Sequence, residues 1–87
     1  MTKQKIVSEI ILNGAILVKF VRLGNSYRFC DLHDEHRMLV QSHERANSAG
    51  FAVITKDKVH ILASESTSLQ IGPLDDDGKN IKKVILE

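Results

Sequence analysis

Residues able to bind a transition metal lie close together in the middle of the chain. Cys30, His33 and His36 follow one another at intervals of three residues, and His43 lies seven residues beyond His36. Thiolate and imidazole are ligands that zinc prefers. In a helix that starts near residue 34, however, His36 and His43 would stand roughly 10 Å apart along the axis. A metal site of Cys30, His33 and His36 is therefore an alternative function, and we predict no resident metal and no cofactor.

The other motifs that could carry catalysis are incomplete. Three contiguous aspartates, residues 75–77, precede Gly78, whereas a calcium-binding EF-hand loop alternates its acidic ligands and ends on a glutamate. The five glycines are scattered along the chain, so there is no glycine-rich phosphate loop. Cys30 and His33 alone are too weak a pattern to indicate nucleophilic catalysis. We therefore expect that the protein is not an enzyme.

Three cations form the basis of a second alternative, nucleic-acid binding. Lys19, Arg22 and Arg28 lie near Tyr27 and Phe29 in the sequence. A basic face with aromatic side chains is a surface that single-stranded nucleic acids bind. The formal net charge is only +1, however, and the two aromatic residues are expected to face the core while Arg28 points away. We therefore do not favour nucleic acid as the partner.

These side chains are positioned by the segment Lys5–Leu32, which the sequence predicts to be a three-stranded antiparallel meander. Asn13-Gly14 stands between two apolar runs, and this pair favours the type I′ turn of a two-residue hairpin. Gly24-Asn25 provides the next turn, with glycine first as a type II′ turn requires. These turns fix which residues of the second and third strands face each other: Phe20 with Phe29, and Arg22 with Tyr27.

Alternation along the predicted strands sorts the side chains onto two faces. The first face is the predicted core face: Val7, Ile11, Ile16, Val18, Phe20, Tyr27 and Phe29. The second face is apolar too: Ile6, Ile10, Leu12, Leu17, Val21 and Leu32. An antiparallel sheet usually shows a polar face to water, so the second face needs a cover. Either the second half of the chain supplies that cover or another molecule does, such as a second copy of the protein.

The rest of the chain is predicted to form a helix, a second hairpin and two further strands. Asp31–Gly50 has helical spacing, acidic residues at its start and a glycine at its end. Phe51–Ala63 consists of two β-branched runs around a polar turn, and it joins the sheet or packs against it. Leu69–Ile71 resembles a short strand. Asn80–Glu87 fits a helix or a last strand, and we favour the strand because Gly78 would weaken so short a helix.

Length and composition indicate one small intracellular domain. The 87 residues make a single α+β domain, residues 1–87. Its predicted order is β-β-β-α-β-β followed by two more strands, giving a largely antiparallel sheet with one helix packed on it. The single cysteine, Cys30, cannot form an internal disulfide, and no run reaches the roughly 18 apolar residues that a membrane span needs. We therefore expect a cytoplasmic protein without membrane contact.

The apolar second face gives the leading hypothesis for function. We expect a small non-catalytic interaction or regulatory protein that contacts its partner through this sheet face or through a strand edge. The partner is another protein or a second copy of the chain, and we expect a homodimer. The residues predicted to form the contact are Ile6, Ile10, Leu12, Leu17 and Val21.

Overall fold

The computed structural model describes residues 1–87 and contains a four-stranded antiparallel sheet with two α-helices. The elements in chain order are α1 (Lys3–Asn13), β1 (Ala15–Leu23), β2 (Ser26–Cys30), a turn of 3-10 helix (His36–Leu39), β3 (Ser48–Thr55), β4 (Val59–Ile61) and α2 (Asp77–Leu86). The strand order is β2-β1-β3-β4. The predicted α+β class, with helix packed on an antiparallel sheet, is confirmed, but the predicted order of elements is wrong at both ends of the chain and between β2 and β3. No helix is long and apolar enough to cross a membrane.

The chain begins with a helix where the sequence predicted the first strand of a meander. Thr2 caps α1, because its hydroxyl accepts a hydrogen bond of 3.2 Å from a backbone N–H of the first turn. Gly14 ends α1 with a φ of 83° and donates its N–H to the carbonyl of Ile10 at 2.7 Å. The prediction failed because Asn13-Gly14 stops a helix as readily as it turns a hairpin. The apolar spacing of Ile6 and Ile10 also fits one face of a helix.

Both later hairpins are confirmed, and both belong to the same sheet. β1 and β2 turn at Gly24-Asn25 with the predicted register, in which Phe20 faces Phe29 and Arg22 faces Tyr27. β3 and β4 form the second hairpin, and β3 pairs antiparallel with β1. β1 therefore lies in the interior of the sheet, and both of its faces need a cover.

The two helices cover the first face of the sheet and form the hydrophobic core with it. Phe20 is fully buried in this core and lies so close to β3 that a Cβ at Gly50 would stand 3.1 Å from its ring. Ile11, which was predicted to face the core, is exposed instead because it lies on the outer side of α1. The nine residues of the core cluster are Ile6, Ile10, Val18, Phe20, Phe29, Ala52, Ile54, Ile81 and Ile85.

The connection from β2 to β3 is irregular where the sequence predicted the helix Asp31–Gly50. Residues 31–47, here called the strap, contain one turn of 3-10 helix and no α-helix. The strap lies on the second face of the sheet, where the carboxylate of Glu44 accepts hydrogen bonds of 2.7 and 2.8 Å from Arg28. The prediction was wrong because β3 takes the residues from Ser48 onward and side-chain contacts with the sheet replace helical hydrogen bonds.

The connection from β4 to α2 is also irregular. The predicted strand Leu69–Ile71 was wrong, since Ile71 forms only an isolated bridge with Ser66. The hydroxyl of Ser66 accepts a hydrogen bond of 3.2 Å from the N–H of Leu69, so a local turn takes the place of a strand.

The last segment is the helix α2, and the strand that we favoured was wrong. Asp77 at the start of α2 is fully buried. One of its carboxylate oxygens accepts hydrogen bonds from the hydroxyl of Tyr27 at 2.7 Å and from Arg22 at 3.4 Å. The other accepts from the N–H of Leu74 at 2.7 Å. These contacts fix the helix start to β1 and β2 across 50 or more residues of sequence, which local pattern does not reveal. Close packing also favours glycine at position 78, because a Cβ there would stand 3.3 Å from the side chain of Ile61.

Removal of the Asp77 carboxylate should destabilise the protein. We expect Asp77→Ala to lower the free energy of unfolding by about 2–4 kcal/mol, because it leaves the part-buried hydroxyl of Tyr27 and the N–H of Leu74 without their acceptor. Urea denaturation followed by circular dichroism measures the change. Asp75→Ala, at an exposed position two residues earlier, is the matched control and should change stability little. Equal effects of the two substitutions would contradict the anchoring role of Asp77.

Tyr27 should titrate far above an ordinary tyrosine. Burial, followed by the hydrogen bond to Asp77, raises the pKa of Tyr27 to about 12. The folded state therefore disfavours the phenolate, so this contribution to stability is intact below the unfolded pKa of about 10 and is lost as pH rises through the folded value. Ultraviolet absorbance measures the titration cleanly, because Tyr27 is the only tyrosine and tryptophan is absent. Asp77→Asn should lower the midpoint without bringing it to about 10, the value expected in urea. A folded-state midpoint equal to the value in urea would contradict the prediction.

Candidate functional site

The structure places the five predicted contact residues in different environments. Ile6 and Ile10 are buried in the core, because the segment that carries them is a helix over the first face rather than a strand. Val21 lies on the second face of the sheet as predicted, but it is fully buried there. Leu12 and Leu17 are exposed, with 77% and 37% of their surface accessible. Only these two remain available to a partner.

Leu17 lies in a groove between α1 and the ends of β1 and β2. The groove has a volume of about 420 Å³. Leu32, which also lines the groove, is 43% exposed and Met1 is 38% exposed, so the groove presents several apolar side chains. We call this depression the Leu17 groove, and its lining residues are Met1, Lys5, Glu9, Ile16, Leu17, Asp31, Leu32 and His33.

Charged side chains of both signs form the rim of the Leu17 groove. On the α1 side, Lys5 and Glu9 form an ion pair of 3.1 Å one helical turn apart. On the opposite side, the carboxylate of Asp31 accepts a hydrogen bond of 2.9 Å from the N–H of His33. Leu12 follows Glu9 by three residues and therefore extends the same side of α1. The site thus has an apolar floor, a polar rim and an exposed leucine at one end.

The three cations of the nucleic-acid alternative do not form a basic surface. Arg22 lies on the first face, where it contacts Asp76 at 2.8 Å, and this hydrogen bond raises its pKa. Lys19 and Arg28 lie on the second face, where Lys19 donates to the carbonyl of Asp34 at 2.6 Å. The hydrogen bonds from Arg28 in turn lower the pKa of Glu44 to about 2. Each cation is therefore held by the protein itself.

The three residues of the metal-site alternative are also separated. Cys30 is buried in β2, and burial raises the pKa of its thiol. His33 is exposed at the Leu17 groove. His36 is buried, lies edge-on to Phe51 with ring centres 5.1 Å apart, and is bonded through Nε2 to the carbonyl of Gly50 at 2.8 Å. The structure contains no group of three or more histidine, cysteine, aspartate or glutamate side chains placed to hold a metal ion.

A second cleft was missed by the sequence reasoning. It also has a volume of about 420 Å³, and it lies between the strap, β1, β3 and the segment after β4. Its charges cancel, with two cations and two carboxylates, and the ion pair between Arg37 and Glu35 uses one of each. No local pattern could have indicated this cleft, because its lining comes from distant parts of the chain: Lys19, Glu35, His36, Arg37, Phe51, Glu65, Thr67 and Ser68.

Comparison with known proteins gives no relative from which a function could be transferred. No family model, no curated protein and no solved structure matches this chain. The function must therefore be inferred from the residues and geometry of the chain itself, and the Leu17 groove is the site that they favour.

Proposed function

We propose that this is a small non-catalytic interaction protein that self-associates through the Leu17 groove. The observation that carries the proposal is the set of exposed apolar side chains at one place, where Leu17 and Leu32 line the groove beside Met1 and Leu12 extends its wall. Burial of such side chains contributes roughly 1.5–3 kcal/mol each when it is complete. A partner that covers them therefore gains free energy from the burial of several apolar side chains at one place.

The charges on the rim favour a second copy as that partner. A twofold interface brings the same patch of both subunits together, so the patch must complement itself. The Leu17 groove meets this condition because Lys5 stands on its α1 wall and Asp31 on the wall opposite. In an antiparallel pairing of two grooves, Lys5 of each copy can approach Asp31 of the other. A partner of single charge sign would meet like charge on this rim, because the rim carries Lys5, Glu9 and Asp31.

The groove is too small to form the whole interface. A standard stable interface buries about 800 Å² on each partner, whereas the whole protein exposes 5575 Å². The contact must therefore cover roughly one seventh of the surface, which requires the exposed wall of α1 around Leu12 as well as the groove floor. Leu12 is consequently part of the proposed interface.

The protein's location is part of the same proposal. Its one cysteine, Cys30, is unpaired and buried in β2. Free thiols of this kind are usual in reducing compartments, so we infer that the protein works in the cytoplasm.

Light scattering across a concentration series tests self-association. The unmodified chain should show a mass of two copies at high concentration. Leu17→Glu should weaken the dimer by about tenfold or more, because it would bury a carboxylate in an apolar contact. Leu74→Glu is the matched control, since Leu74 is 47% exposed and lies outside the groove. Circular dichroism should show that both variants stay folded.

Charge reversal on the two walls distinguishes a specific twofold contact from nonspecific association. Lys5→Glu and Asp31→Lys should each weaken the dimer, and the double variant should recover part of the loss because the pairing is restored with its signs exchanged. A single-copy mass at every concentration would overturn the proposal. So would a dimer that Leu74→Glu weakens as much as Leu17→Glu does.

A further inference from the structure

The strap crosses the sheet because of the strand order. β2 and β3 flank β1 on opposite sides, so the chain between them has to pass over one face of β1. The helices occupy the first face, and the strap therefore lies on the second. The ends of the strap are fixed by β2 and β3, and each of these strands is held in the sheet by its own hydrogen bonds to β1.

Polar contacts hold the strap in place at six residues along its length. Two of them lie outside the strap's contacts with the sheet face: the N–H of Arg37 donates to the hydroxyl of Ser68 at 3.2 Å, and Asn47 is bonded to the backbone of Arg22 and Gly24. Lys19 donates to the carbonyl of Asp34, and His36 is bonded to the carbonyl of Gly50. Arg28 binds the carboxylate of Glu44 and also donates to the carbonyl of Leu39 at 2.7 Å. No residue of the strap apart from His36 is buried. A segment with so little buried apolar surface belongs to the least stable part of a fold.

Beneath the strap lies apolar surface of the sheet. Val21 and Ala49 face each other across β1 and β3 and are fully buried. Cys30 on the same face is 6% exposed. The first face and its core cluster contain none of these residues. Loss of the strap would therefore uncover one side of the sheet without opening the core.

We propose that residues 31–47 lift from the second face while the sheet and both helices stay folded, and that protonation of His36 favours the lifted state. The chain length permits this movement. The end of β2 and the start of β3 lie about 14 Å apart, since they are separated by two strand spacings across the sheet and by three residues along it. The 17 residues of the strap can reach about 56 Å when extended. The strap can thus leave the face without pulling on either strand.

His36 is the group that connects this movement to pH. Burial, the largest cause, and the nearby charge of Lys19 both lower the pKa of His36, whereas its hydrogen bond to Gly50 opposes them. Glu35 and Arg37 in the strap and Glu65 after β4 line the same cleft, and Glu35 is already paired with Arg37. The neutral ring therefore favours the closed strap, and this preference is lost as pH falls below the ordinary histidine value of about 6.5.

Cys30 can report strap opening, because it is the only cysteine and is buried on the sheet face that the strap crosses. The test measures its labelling by a pyridyl disulfide, with rates divided by those of the urea-unfolded chain at the same pH. Labelling at low urea should be nearly independent of urea concentration, unlike global unfolding. Between about pH 7.5 and pH 5 the corrected rate should rise several-fold, and by no more than about 30-fold, the limit for one histidine of ordinary pKa in the open state.

Matched histidine variants identify the responsible group. In His36→Gln the amide can still donate to Gly50 but does not titrate, so the corrected rate should lose its dependence on pH. His43→Gln, at an exposed position of the strap outside the Leu17 groove, should keep that dependence. Glu44→Gln removes a different anchor and should raise the rate at every pH while the dependence remains.

Two results would overturn the proposal. If Cys30 labelling follows urea as steeply as global unfolding does, the strap does not open separately. If His36→Gln keeps the full dependence on pH, or if the unmodified protein shows none, protonation of His36 does not favour the lifted state. If His36→Gln fails to fold, Glu44→Gln still tests whether the strap opens separately from global unfolding.

Discussion

The need to cover both faces of β1 determines the architecture. β1 is paired on both edges and carries apolar side chains on both faces. The sheet alone cannot shield these side chains from water, so each face needs a cover. On the first face two helices supply large apolar side chains, and the hydrophobic core forms there. On the second face the cover comes from the strap, which is attached through polar groups. One strand therefore has a strongly covered face and a weakly covered one.

The sequence predicted elements whose signals are local and missed those that depend on distant contacts. The β1–β2 hairpin and its register followed from Gly24-Asn25 and from the alternation of residues around it, and the structure confirms them. The segment before Asn13-Gly14 carried signals for both a strand and a helix. Only the packing of Ile6 and Ile10 on β1 distinguishes the two. For the last segment the strand was favoured over the helix α2, because the start of α2 is fixed by Asp77 and Tyr27, which are 50 residues apart.

The candidate site was predictable in part for the same reason. Leu12 and Leu17 were identified as surface apolar residues, and both are exposed. Ile6, Ile10 and Val21 were assigned with them on the basis of strand alternation, and the helical geometry of α1 and the cover of the strap bury these three. The Leu17 groove itself arises where α1 meets residues after β2, so no single stretch of sequence contains it. Its composition is therefore visible only in the folded chain.

The two ends of the chain lie side by side, because α1 and α2 pack on the same face of the sheet. The ammonium of Lys3 donates a hydrogen bond of 3.3 Å to the backbone carbonyl of Glu87. A short peptide linker can span the reach of one lysine side chain and the two residues that precede it. Joining the ends would give a cyclic backbone whose unfolded state has less conformational entropy, and the cycle could be reopened at the exposed Gly24-Asn25 turn. The fold is therefore compatible with a circularly permuted chain in which β1 and β2 carry the new termini.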